Sequence, residues 1–192
     1  MAEEINACGQ DGAEEPKLPG ADLFDWLQMV MGCILAAVLL FNCFARLTQV
    51  DGESMTNTLQ DGEMMLVWSL GYHPKAGDIV VVNKKTATFL DDRAIVKRVI
   101  AVGGQSVDID YASGTVYVDG SPLDEPYINE ATALRGDETF PQEVQPGHYF
   151  VMGDNRNGST DSRDERLGPV DEGYVLGRAV LALWPLNKAG VL

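Results

Sequence analysis

Residues 94–102 read Ala-Ile-Val-Lys-Arg-Val-Ile-Ala-Val, and the lysine at the centre decides how the rest of the chain is understood. Branched aliphatic side chains at this density favour an extended strand. Alternate residues of a strand share a face, so Ile95, Lys97 and Val99 fall together and Val96, Arg98 and Ile100 fall opposite. Lys97 is thus flanked by two branched hydrocarbons. A lysine in water titrates near about 10.4, and burial among hydrocarbon disfavours its ammonium and lowers that value. On an edge strand the same side chain would snorkel to water. The pattern alone allows both.

Outward from this strand, short runs rich in Ile, Val and Tyr recur at 63–69, 78–83, 106–110, 115–118, 148–152 and 177–184. Ser113-Gly114 and Asp119-Gly120 punctuate them as hairpin turns. No stretch after residue 46 has the length and 3.6-residue period of a long helix. The expectation is a mainly β fold over residues 46–192, a sandwich or an irregular barrel. Residues 105–144, with their prolines, acids and polar turns, read as a small β insertion.

Toward the N-terminus, residues 26–45, WLQMVMGCILAAVLLFNCFA, carry no charge and are bracketed by Asp25 and Arg46. At about 1.5 Å per residue they cross a hydrocarbon layer of roughly 30 Å, with Trp26 suited to an interface. A cleavable signal sequence would need a basic lead and a shorter apolar run. A lipoprotein-type site at Gly32-Cys33 would need the apolar run before the cysteine. The expectation is an uncleaved transmembrane helix, preceded by a disordered acidic tail over residues 1–25. Lys17 and Arg46 are too few to set its orientation.

The net charge of −15 argues against nucleic acid as a partner and against charge-driven docking on anionic lipid. Its plain reading is solubility. Cys8, Cys33 and Cys43 all precede residue 46, and only His73 and His148 occur, so neither a disulfide nor a thiolate or histidine metal site is expected beyond it. The acids lack calcium-loop spacing. No metal and no cofactor are expected, and nothing in the sequence sets an oligomeric state.

Gly52-Glu53-Ser54-Met55 offers a hydroxyl in a glycine-loosened bend. A serine needs a neighbour to take its proton. His73 sits in a turn and His148 at the head of a strand, each without an orienting partner in sequence. A desolvated Lys97 is the alternative base, and serine with lysine is a known variant of triad logic. The polar loop 153–163, GDNRNGSTDSR, follows an apolar strand. It can supply a hydroxyl to orient the amine and an Asp-Arg pair to hold its own shape; a merely solvated loop is the bland alternative.

Taken together, residues 52–59, 77–82, 97–104 and 153–163 resemble, in order, the motifs of type I signal peptidases, the bacterial leader peptidases, in their Gram-positive single-anchor form. Gly177-Arg178-Ala179 and Trp184-Pro185 are similar to that family's last strand. The resemblance implies a Ser-Lys protease fold, shared with self-cleaving repressors, and Ser54 as nucleophile with Lys97 as general base. It implies that Ser159 orients the amine, that Asp161 and Arg163 brace the site, and that the Ser54 amide and the Gly52 position serve an oxyanion. A signal peptide would add as a strand near residues 49–52 and Lys97. Met55, Leu59 and Val96 would line pockets admitting Ala-x-Ala. The implied partners are signal peptides of exported preproteins and the lipid bilayer. The implied location is the cytoplasmic membrane, single-pass, with the catalytic domain on the extracytoplasmic side. Asn57 stands where the family usually has proline, which loosens the turn. That departure leaves open a peptidase specialised for few substrates, or a catalytically idle assembly or chaperone protein. A self-cleaving repressor would carry a DNA-binding domain where the membrane span stands.

Overall fold

The apolar stretch forms helix α1, Ala21–Phe44. It begins at Ala21 rather than at Trp26, so the last residues of the expected acidic tail are helical. The apolar stretch sets where a membrane would lie, whereas the helix start is set by backbone hydrogen bonding, and propagating a further turn needs no apolar side chain. Asp22 in the first turn also complements the positive end of the helix dipole. The computed structural model describes residues 21–84, 86–87, 90 and 93–192; the rest of the expected tail, residues 1–20, lies outside them. The window Asp22–Leu39 is long and apolar enough to cross a membrane, and none of it is buried against protein. An apolar helix that is not buried suits a lipid solvent.

From Leu40 onward the chain is a separate compact unit. Its strands are β1 Ala45–Gln49, β2 Met64–Trp68, β3 Ile79–Val82, β4 Ile95–Val102, β5 Ser106–Asp110, β6 Thr115–Val118, β7 Ser121–Pro122, β8 Gln142–Glu143, β9 His148–Met152, β10 Val170–Asp171, β11 Val175–Trp184 and β12 Gly190–Val191. The main sheet runs β1-β2-β11-β3-β4-β9-β10, with β12 added on β11. A second sheet runs β7-β6-β5-β8 and falls within residues 105–144. The mainly β expectation is met, and every expected run coincides with a strand. The sequence reading missed β1, whose Arg46, Thr48 and Gln49 do not read as strand, and the two-residue strands, which are too short to show alternation.

Three apolar clusters hold the domain. Val50, Met55, Leu59, Val67, Ile79, Val81 and Val96 form one. Val80, Val82, Val99, Val151 and Leu167 belong to the second. The pairing explains the division: Val81 lies opposite Val96 and Ile79 opposite Arg98, while Val80 lies opposite Lys97 and Val82 opposite Ile95. Lys97 therefore roots on the face of the second cluster, as alternation requires. A bulge between Val99 and Ala101 breaks the alternation. Ile100, Ala101, Phe150 and Met152 pack with Val107, Ile109, Val116 and Val144, which fastens the small sheet to β4 and β9.

Candidate active site

The turn after β1 is a tight one. Gly52 has φ +94°, a conformation that costs glycine little, and its amide donates to Asp61 Oδ1 at 2.8 Å. That amide is committed to a carboxylate, so it is not free to serve an oxyanion. Backbone bonds from Thr58 and Leu59 to the Met55 carbonyl, at 3.0 and 2.9 Å, coil the residues after Ser54. Met55 and Leu59 are buried with Val96 in the first cluster and anchor the coil to the sheet. Ser54 is left half-buried at its rim.

Lys97 reaches this rim from the middle of β4. Its Nζ lies 2.8 Å from Ser54 Oγ and donates to the Val96 carbonyl at 3.1 Å. Only 3% of the residue is exposed. Burial is the chief force on its titration and pushes the pKa from its ordinary 10.5 down to about 8; Asp161 opposes this, Arg163 adds to it, and Asp154 opposes it. Relative to an ordinary lysine, such an amine holds about 300-fold more free base at neutral pH.

The loop after β9 closes the site. Val99 pairs with Val151 and Arg98 with Met152, so one further step brings Gly153 opposite Lys97. A methyl group on Gly153 would overlap the Ser54 carbonyl and Ser159 Oγ. Glycine is what lets the three segments meet. The Asn155 amide donates to the Ser54 carbonyl at 3.0 Å, and its side chain donates to the Glu53 carbonyl at 3.1 Å. Asp161 accepts from the Gly153 amide at 3.0 Å and holds Arg163 in a two-pronged pair at 2.8 and 2.9 Å. Arg163 in turn reaches the carbonyls of Arg156 and Leu134. Ser159 Oγ is buried beside Gly153 but has no hydrogen-bond partner among the described residues. The second contact of the amine is the Val96 carbonyl, not this hydroxyl.

Several residues that sequence reasoning passed over are here. Arg98 grips Asp154 with both prongs, at 2.8 and 2.7 Å, and donates to the Gly77 carbonyl at 2.9 Å. Thr58 donates to the same carboxylate. The Tyr127 ring lies 4.0 Å from the Arg98 guanidinium. These pairings join residues far apart in sequence, and only the reappearance of arginine beside lysine and of aspartate in the loop hinted at them. The Asn157 side chain, part of a sequon, is spent on Ala131, Ala133 and Leu134 backbone groups. His73 and His148 pair with Glu172 and Asp171. Asn57 adopts φ +97°, and lines a cavity of about 500 Å³ with Thr58, Arg98 and Tyr127. Proline cannot take that φ, so the turn is built differently from one that carries proline.

A half-buried hydroxyl in contact with a desolvated amine, on a β scaffold, is the equipment of a serine hydrolase that needs no histidine. The family described as "Signal peptidase, peptidase S26" matches residues 23–184. Signal peptidase I of Leptolyngbya laminosa is 30% identical over 95% of this chain and 90% of its own. Signal peptidase I of Bacillus licheniformis is 33% identical over 86% and 91% respectively. Signal peptidase I U of Bacillus subtilis (strain 168) is 34% identical over 83% and 88%. A crystal structure of a signal peptidase I from Enterococcus faecalis V583 gives a TM-score of 0.45 at 27% identity, over 57% of this chain and 98% of that one. The chain belongs to the signal peptidase family, peptidase S26, a family of serine endopeptidases that process signal peptides.

Proposed function

We propose that this protein is a single-pass membrane endopeptidase that releases signal peptides from exported preproteins by acyl transfer through Ser54 and Lys97. The observation that carries the reading is the 2.8 Å separation of Lys97 Nζ and Ser54 Oγ, with the amine shut away from water. The neutral amine gives one N–H to the Val96 carbonyl and turns its lone pair to the serine proton. As Oγ attacks the scissile carbonyl, the proton passes to Nζ, and the Ser54 amide supports the oxyanion. The resulting ammonium returns that proton to the leaving amine, and the acyl-serine remains. A water then repeats the sequence, with Lys97 again as base, and frees the signal peptide's carboxylate.

Selection of small residues follows from Met55, Leu59 and Val96. They belong to one packed core cluster with almost no exposed surface, and so back the substrate side of the site as a filled floor that leaves little room for a large side chain. Exported chains emerge on the extracytoplasmic side, so the catalytic domain belongs there. An apolar sheet face favours work at a bilayer surface. Paired residues share a face, which groups Met64 with Trp184 and Leu47 with Leu66, Leu181 and Val191. Leu47, Met64, Trp184 and Val191 are all exposed, and tryptophan favours such a boundary.

The test uses the full chain in detergent with a preprotein carrying Ala-x-Ala. The wild type is expected to release the signal peptide, and Ser54→Ala and Lys97→Arg to release none, since a guanidinium keeps its proton at working pH. Equal processing by all three would remove the reading.

A further inference from the structure

Arg156 is the bulkiest of the completely buried side chains among the described residues. A guanidinium cannot stay there unless its charge and its donors are matched. The match comes from the segment that follows the small sheet's strand β7. Glu125, whose side chain is only 6% exposed, meets Arg156 fork to fork, with Nη1 donating to Oε2 at 2.9 Å and Nη2 to Oε1. Thr132 Oγ1 accepts a third bond at 3.2 Å. A fourth of its five N–H donors, that on Nε, is given to the Gly153 carbonyl at 3.0 Å. Gly153 is the residue that stands opposite Lys97 and against the Ser54 carbonyl. The same segment supplies Tyr127, whose ring covers the Arg98 guanidinium and whose hydroxyl donates to Glu125 at 3.3 Å. Arg98 holds Asp154, next along the loop.

We propose that Glu125 and Tyr127 are positioning residues for the Ser54–Lys97 pair, Glu125 acting through Arg156 on Gly153 and Tyr127 acting through Arg98 on Asp154. The inference rests on the Ser-Lys reading above. Residues 125–132 are then a clasp that completes the site from outside it. Neither residue contacts Ser54 or Lys97, so loosening the clasp changes the alignment of the reacting groups and leaves substrate affinity alone. Misplacement of reacting atoms by about 1 Å is worth on the order of a hundredfold in rate.

The test is a set of variants of the full chain in detergent, read by kcat and KM on a preprotein and by thermal unfolding. Glu125→Ala is expected to lose roughly a hundredfold in kcat with KM unchanged. Because that change strands a buried cation, the double variant Glu125→Met with Arg156→Met is made beside it. An apolar pair there restores folding stability but has no donor for the Gly153 carbonyl, so kcat stays low. Tyr127→Phe keeps the ring and is expected to retain activity, while Tyr127→Leu falls roughly three- to tenfold. Wild-type kcat in Glu125→Ala, or recovery of both stability and kcat in the double variant, overturns the clasp. Equal loss in the two Tyr127 variants overturns the role of its ring. Turnover by Ser54→Ala, run in parallel, would instead overturn the Ser-Lys reading and leave the clasp without a site to serve.

Discussion

Replacing Lys97 by methionine separates what burying the amine costs the fold from what the amine does in the reaction. In the native domain the amine titrates near 8 and in the unfolded chain near 10.5. At about 1.36 kcal/mol for each tenfold change in proton affinity, that gap corresponds to about 3 kcal/mol. The sign follows from proton counting. Below pH 8 both states hold the proton, and the native state bears the full cost of a buried ammonium. Between 8 and 10.5 the native lysine has released its proton while the unfolded one keeps it, so wild-type stability rises with pH across that window. Lys97→Met has no such group and no such rise. The variant also loses the contacts to Val96 and Ser54, an offset that does not vary with pH. The telling quantity is therefore the change in the stability difference. The advantage of Lys97→Met over wild type should shrink by about 3 kcal/mol between pH 7 and pH 11, or roughly 6–12 °C in Tm for a domain of this size. Urea titrations in detergent, followed by tryptophan fluorescence, measure it, since Trp68 and Trp184 both lie in the sheet. Tyrosines and other groups titrating at high pH are common to both proteins and cancel. A difference that stays flat with pH would show a solvated amine, and the chemistry assigned to Lys97 would fail with it.

The same titration predicts that kcat/KM climbs about tenfold per pH unit below about 8 and levels above it, measured on a preprotein with wild-type protein; a profile centred near 6.5 would point to histidine instead. Asn57→Pro should destabilise the domain and depress kcat, because φ +97° is closed to proline, whereas Asn57→Gly should be neutral or slightly stabilising; thermal unfolding and turnover check both, and a proline variant as stable as wild type would contradict the turn geometry. Gly153→Ala should abolish cleavage, since its methyl overlaps a backbone oxygen that has no room to retreat; preserved kcat would show the loop to be soft.

How much of this could be read from the residues alone differs from element to element. Strands β3 and β4 announced themselves because their branched residues repeat over four to eight positions. β10 and β12 could not, since two residues carry no period. The burial of Lys97 was open in sequence, where an edge strand and a central strand look the same; flanking by β3 and β9 decides it. The loop's composition suggested an Asp-Arg pair without saying which; Asp161 and Arg163 were singled out by resemblance, and the structure pairs them. Arg98 with Asp154, and Arg156 with Glu125, were not. Each joins residues dozens of positions apart, and no local pattern marks a partner at that distance. The assignments of Gly52 and Ser159 came by resemblance. In the structure the first has its amide drawn to Asp61 and the second has a hydroxyl without a hydrogen-bond partner among the described residues. Asn57, expected to slacken its turn, sits in a left-handed conformation that asparagine tolerates better than most residues.

Helix α1 ends at Phe44 and strand β1 begins at Ala45, with no residue between them. A tether of zero length sets the dimensionality of the encounter. On the proposed reading, in which α1 spans the bilayer, a catalytic unit joined so closely to it searches by lateral diffusion in a plane, and its high local concentration is felt only by chains that share that plane. Short peptides free in solution should therefore be poor reporters of what this enzyme does to a preprotein that is itself held in the bilayer.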